Sequence, residues 1–507
     1  MRIRNIGIGI VLSLFLTAGC CLGTAQAEHA QLTPRQKARS KPVQPPADVP
    51  AAPAVSAAPA AQKAEAPLGN DIAVLEERIN SLESELKKKQ DKPDSKKGFT
   101  KTFVGRVFFD SYMAADQDGA DPATPHPAVL NNLQNWNGLN DMRLGVRGEG
   151  YDILDYFVDL SFIQNTGSSG NNAAVSFKDV YLGVKNVPLL EYVRIGHYRV
   201  EDGLSHLVGG TNTTSLEFDD RDFALVRRIG ISSRHLWAQQ RLRFFTGLFY
   251  DNDIATSKRY SSQDNQGTIA NFRLTYMPYI SRGADGKING KQFILFGGNY
   301  SYVDVTKTAD GAPVTFTQRF SGLKIGNVFN STLDSGSYHK IGLEFAAQDG
   351  PFSLQAEAFA NVYDNAAVAG VPGLRKDRTV SGTSLLARYF LTGDYRKFSA
   401  ENATWGAAEL RHNLDLRKAN DWNYAEWLGA WEVFAKWGYT DSRKLFELGG
   451  PACGSVHDIT LGLNWYWTSQ ARWMFDYIHV MPGQIRNGLP RDHSDTDIFA
   501  VSFRYHF

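Results

Sequence analysis

The stretch Phe499-Ala500-Val501-Ser502-Phe503-Arg504-Tyr505-His506-Phe507 puts a ring or a branched aliphatic chain at every odd position and smaller or polar residues between. A period of two is that of a β-strand, whose successive side chains point to opposite faces. One face of this strand suits hydrocarbon and the other suits water. A strand in the wall of an outer-membrane barrel, with lipid outside and an aqueous lumen inside, has that demand on it. Phe499, Val501, Phe503, Tyr505 and Phe507 are therefore read together as the assembly signal of such a barrel.

The same period runs upstream. Met142, Leu144 and Val146 alternate with Arg143 and Arg147; Tyr156, Val158 and Leu160 with Asp159 and Ser161; Ala270, Phe272, Leu274 and Tyr276 with Asn271, Arg273 and Thr275; Leu354, Ala356, Ala358 and Ala360 with Gln355, Glu357 and Asn361. A soluble sandwich alternates as well. Rings at strand ends (Tyr276, Trp465, Trp467, Tyr477) favour the membrane barrel, because they stand where interfacial girdles belong. Residues 99–507, at roughly 25 residues per strand and connection, make about 16 strands. The expectation is an all-β fold: an about 16-stranded antiparallel transmembrane β-barrel preceded by a short α-helical coiled-coil segment. A barrel of that size encloses water.

Composition agrees. Aromatic residues reach 12% while only 43% of residues are hydrophobic, and the mean hydropathy is −0.32. Beyond the N-terminus no run of about 18 apolar residues occurs, so a helical membrane protein is excluded. The formal net charge of +1 points to no nucleic-acid partner. Of the three cysteines, Cys20 and Cys21 fall in the leader, which leaves Cys453 without an intramolecular partner and rules out a cysteine metal site.

The N-terminal segment is read apart from the fold. Arg2 and Arg4, the apolar run Ile6 to Leu16 and Ala25-Gln26-Ala27 form a secretory signal peptide over 1–27. Thr17-Ala18-Gly19-Cys20 offers a lipobox-like alternative in which Cys20 is lipidated. Residues 28–68 are Ala- and Pro-rich, as an extended linker is. In 69–98, Ile72, Leu75, Ile79, Leu82 and Leu86 form an a/d seam of about two heptads, followed by a Lys-rich connector. That segment is either a small oligomerising coil in the periplasm or a solvated amphipathic helix. The barrel occupies 99–507.

The segments Tyr192-Val-Arg-Ile-Gly-His-Tyr198 with Asp202-Gly-Leu204, Arg227-Arg-Ile-Gly-Ile231, Phe245-Thr-Gly-Leu-Phe-Tyr-Asp-Asn252, Ala387-Arg-Tyr-Phe-Leu-Thr-Gly-Asp394, Gly429-Ala-Trp-Glu-Val433 and Thr460-Leu-Gly-Leu-Asn-Trp-Tyr466 stand in this order along the chain. Together they resemble one family, the phosphate-selective porin O and P family. The resemblance implies an outer-membrane porin of a diderm bacterium, a homotrimer in outer-membrane lipid, passing small anions such as phosphate. One stretch departs from the family. Where a Met-Glu-Arg run is usual, the chain reads Leu216-Glu217-Phe218-Asp219-Asp220-Arg221-Asp222, with three added acids. This bears on phosphate selectivity and not on the porin resemblance.

A pore needs no cofactor, metal or nucleophile. It needs a narrowing lined by groups that replace part of a solute's hydration and set the sign of the potential. Guanidinium suits oxyanions because it donates in pairs. Strand parity selects Arg106, Arg143, Arg147, Arg194, Arg228, Arg241, Arg243, Arg273 and Lys185 as pore-lining, anion-binding candidates. Such arginines also pair with acids across strands, and Asp110, Asp141, Glu149 and Asp159 are placed for that. The segment from Tyr198 to Phe223 is long for a hairpin loop. Folded inward, as the resemblance implies, it would shape a constriction through Arg199, His206, Glu217, Asp219, Asp220, Arg221 and Asp222. Pointing outward, its acids would bind divalent cations. Asp492, His493, Asp495 and Asp497 are read as a solvated loop. No nucleophile elbow or Gly-rich phosphate loop accompanies the 11 histidines, so no enzyme is expected. The alternative function is a structural barrel that anchors the envelope through its coil.

Overall fold

A computed structural model describes residues 98–117, 135–163, 175–217, 223–251, 266–307, 311–319, 323, 327–369, 374–419, 424–448, 454–483 and 495–507. The signal peptide, the linker, the coil seam, Cys453, Asp492 and His493 lie outside the described residues.

Among the described residues twenty strands form in chain order. The first nine are β1 (Thr102–Gln117), β2 (Trp136–Gly150), β3 (Leu154–Ser161), β4 (Ser176–Val187), β5 (Glu191–Arg199), β6 (Arg227–Trp237), β7 (Leu242–Tyr250), β8 (Thr268–Arg282) and β9 (Ile288–Asp304). A hairpin of β10 (Pro313–Arg319) and β11 (Asn327–Asp334) precedes β12 (Ser337–Asp349), β13 (Phe352–Val368) and β14 (Lys376–Phe390). A second hairpin, β15 (Tyr395–Ser399) and β16 (Thr404–Glu409), precedes β17 (Ala430–Asp441), β18 (Ser455–Tyr466), β19 (Ala471–Pro482) and β20 (Thr496–His506).

Among the described residues sixteen strands make the wall. β1 to β9 pair in sequence, β9 pairs β12, β14 pairs β17, and the ladder closes where β1 meets β20 with Arg106 opposite His506 and Tyr112 opposite Ala500. All wall pairs are antiparallel. The closed 16-stranded barrel is the one the alternation predicts. Closure removes the edges, so the backbone groups of each wall strand find partners on both sides, as hydrocarbon requires.

Two facing side-chain sets follow from the pleat. In β8, Phe272, Leu274 and Tyr276 are exposed on the outer face while Asn271, Arg273 and Thr275 are fully buried inside. The lumen is therefore packed with polar residues and the outside carries rings. At the end joined by short turns, Trp431 stacks on Trp465 at 5.2 Å, and Trp467, Trp473 and Phe503 continue the band. Connections at this end between β2–β3, β4–β5, β6–β7, β8–β9, β12–β13 and β18–β19 have two to five residues. Short turns mark the periplasmic end of an outer-membrane barrel.

Candidate pore lining

The connection from β5 to β6, here called the inner loop, enters the barrel. Its described residues carry one short helix, α1 (Leu204–Leu207), and are tied to strands all round the wall. Leu204 N and Ser205 N donate to the Glu357 carboxylate of β13 at 2.6 and 3.0 Å. Leu216 N donates to Asp476 of β19 at 2.8 Å. Arg388 of β14 donates to Thr214 Oγ1 at 2.6 Å, Asn464 of β18 to Thr214 O at 2.9 Å, and Arg504 of β20 to Gly210 O and Leu216 O at 2.6 and 2.7 Å. From β12, Lys340 Nζ donates to Asp202 at 2.7 Å. Pinned so widely, the loop lies across the lumen; the outward alternative does not describe residues 200–217.

A second insert comes from the opposite end. The β14–β17 connection carries the β15–β16 hairpin, whose Phe398 and Trp405 are buried against Phe293 of β9. Leu204 and Val208 of the inner loop join the same apolar cluster. Arg396 on the hairpin forms a buried ion pair with Glu432 of β17, with both side chains at most 1% exposed. The turn into the hairpin uses the Thr392-Gly393-Asp394 part of the sequence motif. Gly393 has φ +76°, a left-handed conformation that glycine takes without strain, and Asp394 Oδ1 accepts from Arg411 N at 2.6 Å.

Between the inner loop and the wall of β1, β2, β5, β6 and β20 lies a cavity of about 260 Å³. Arg106, Arg143, Arg199, Arg227 and Arg504 line it, with Asp141 and Glu217 as the carboxylates of the lining. Arg106 and Arg143 share Asp141 at 2.5 and 2.8 Å, Arg143 also reaches Asp159 at 3.2 Å, and Arg227 holds Asp179 at 2.7 Å. Arg199 donates to the backbone carbonyls of His206 and Val208, and Arg504 to carbonyls and hydroxyls. Among the described residues neither has a carboxylate partner. Burial pushes the His206 imidazole down to about 3, so it adds no charge near neutral pH.

The residues chosen by parity thus separate into groups. Arg106, Arg143 and Arg194 face the lumen beside open space. Arg243 and Arg273 also face inward but are 1% and 0% exposed, clamped on Glu201 of the inner loop at 2.7 and 3.3 Å, and Arg273 takes Glu344 as well at 2.7 Å. Of the two readings of a lumen arginine, anion-binding or paired with an acid, these two show the paired arrangement, because the loop brings its own acid to them. Arg228 lies 3.6 Å from Asp251 at the loop end of β6. Arg241 sits in the turn before β7, and Arg147 is exposed near the short-turn end of β2. Lys185 pairs with exposed Glu149 at 2.7 Å at that same end. Of the acids placed for such pairing, Asp110 instead accepts from Tyr112, Asn140 and Ser502. Glu217 lines the cavity; Asp219, Asp220, Arg221 and Asp222 lie outside the described residues. Phe499, Val501, Phe503 and Tyr505 point outward on β20, while Phe507 and Gly105 exchange backbone hydrogen bonds at 3.0 Å.

Parity alone could have added Lys340, Arg388, Lys436, Arg472 and Arg504, which all occupy inward positions of their strands. Arg199, named for the constriction, lines the cavity; Arg227, paired with it across β5 and β6, could not have been ranked without the loop that shapes that cavity.

The family model described as phosphate-selective porin O and P matches residues 127–507. No curated protein matches the chain. Among solved structures, the anion-selective porin from Comamonas acidovorans is 12% identical over 81% of this chain and 100% of its own, with a TM-score of 0.45. The outer membrane channel DcaP of Acinetobacter baumannii is 10% identical over 82% and 99%, TM-score 0.45. Salmonella typhi OmpF, in complex with daunomycin, is 13% identical over 81% and 98%, TM-score 0.44. The family assignment rests on the family model.

Proposed function

Since the chain belongs to the phosphate-selective porin O and P family and is an outer-membrane channel for small solutes, we propose that its lumen selects anions, phosphate among them. The observation that carries this is the first cavity. Five arginines and Lys178 line it against two carboxylates, and counting Asp159 and Asp179 behind them still leaves six positive groups to four negative. A narrow, low-dielectric passage magnifies such an imbalance, and anions concentrate in it. Arg199 and Arg504 donate to no described carboxylate, so they and Arg106 are the groups a passing anion meets.

The remaining features belong to the same reading. Residues 1–27 are the cleaved signal peptide and 28–68 the linker. The seam at Ile72, Leu75, Ile79, Leu82 and Leu86 is a periplasmic coil that joins three copies. Native-detergent extraction should give a trimer; a monomer would contradict the coil's role.

Selectivity is tested by the zero-current potential across a planar bilayer under a KCl gradient, with phosphate then titrated in. A chloride-preferring potential and a phosphate-dependent fall in current are expected. A cation-preferring potential would mean that the cavity arginines are spent on internal acids.

A further inference from the structure

The lumen holds a second cavity of about 270 Å³, shared by the inner loop, the tip of the β15–β16 hairpin and the β3–β5 wall. Its walls differ in kind from those of the first. Phe157, Tyr181 and Tyr198 line it from three consecutive strands, ring edge to ring face at 6.1 and 6.0 Å. Against this strip lies Arg194, its guanidinium carbon 4.2 Å from the Tyr181 ring centre and 5.2 Å from that of Tyr198. Nε of Arg194 donates to Tyr192 Oη at 3.0 Å, and its two terminal nitrogens donate to no described residue. Arg199 lines the same space. Neither arginine has a carboxylate partner among the described residues. The two acids of the lining are engaged elsewhere, Glu201 with Arg243 and Arg273 and Asp179 with Arg227. Opposite, the Thr404 hydroxyl is buried without a hydrogen-bond partner.

A bare oxyanion would use the two guanidinium groups and leave the rings idle. Desolvating ring faces is favourable only when the solute brings apolar surface of its own. The volume, just below the roughly 300 Å³ at which drug-sized sites begin, suits a single ring with one charged group. We propose that this cavity is a subsite for small aromatic carboxylates of the benzoate class. The carboxylate meets Arg194 and Arg199 through paired N–H donors, and the ring lies against Tyr181 and Phe157. The subsite rests on the anion-selective reading above and names a solute class for it.

The test uses the full-length protein in planar bilayers, with KCl current recorded while benzoate, acetate or cyclohexanecarboxylate is added. Benzoate is expected to halve the current at a concentration at least tenfold below that of acetate, with cyclohexanecarboxylate between them. Tyr181→Leu should bring benzoate to the level of acetate, and Tyr181→Phe, which keeps the ring, should retain the tenfold difference. Equal block by benzoate and acetate in a channel that still prefers chloride would overturn the aromatic subsite and leave the anion pore standing. A channel with no chloride preference would overturn both.

Discussion

The two sides of the lumen, built on the same alternating strands, do opposite things with their arginines. On the β13–β18 side, Arg388 of the wall and Arg396, which the β15–β16 hairpin itself carries, hold the inserts in place. Arg388 lies 3.8 Å over the Trp405 ring of the hairpin and donates to Thr214 of the inner loop, and Arg396 is locked to Glu432. On the β1–β6 side, Arg106, Arg143 and Arg199 border open space. A lumen-facing arginine therefore has two distinct employments, holding an insert in place or facing the solute. What decides between them is whether open space remains beside the guanidinium once the inserts are in place: Arg199 and Arg504 also donate to the inner loop, yet they border the first cavity.

That contrast can be broken most forcefully at the buried pair. Glu432→Gln leaves the Arg396 guanidinium buried without its counter-charge, a change that costs about 3–5 kcal/mol. The urea midpoint of the folded barrel should fall accordingly, and an unchanged midpoint would place Arg396 in water. A smaller and more local effect is expected from Glu357→Ala. It removes the acceptor of two backbone N–H groups of α1, and each stranded donor costs about 1–3 kcal/mol. The inner loop should loosen while the wall holds, seen as larger and noisier single-channel conductance with little change in the unfolding midpoint. The smallest effect is predicted at Lys185→Ala. Its exposed pair with Glu149 is worth less than about 1 kcal/mol, and neither stability nor the zero-current potential should move.

Much of this was legible in the sequence. A period of two fixes which face a residue occupies, and 16 strands followed from the length available to them. Parity does not say who the partner is. Arg243, Arg273 and Arg194 are indistinguishable as inward positions, yet Glu201 on the inner loop claims the first two and tyrosines surround the third. The β15–β16 hairpin escaped because Tyr395 to Ser399 and Thr404 to Glu409 lack the apolar–polar alternation by which the wall strands were read. Length was the available clue: these strands have five and six residues, whereas the wall strands have 8 to 17. Five or six residues are too few to cross a membrane.

The direct test of the division of labour is the zero-current potential under a KCl gradient for Arg199→Gln beside Arg388→Gln. The account predicts a clear loss of chloride preference in Arg199→Gln and an unchanged potential in Arg388→Gln. Equal shifts in the two variants would contradict it, since they would mean that anions also pass along the wall to which the inner loop is pinned.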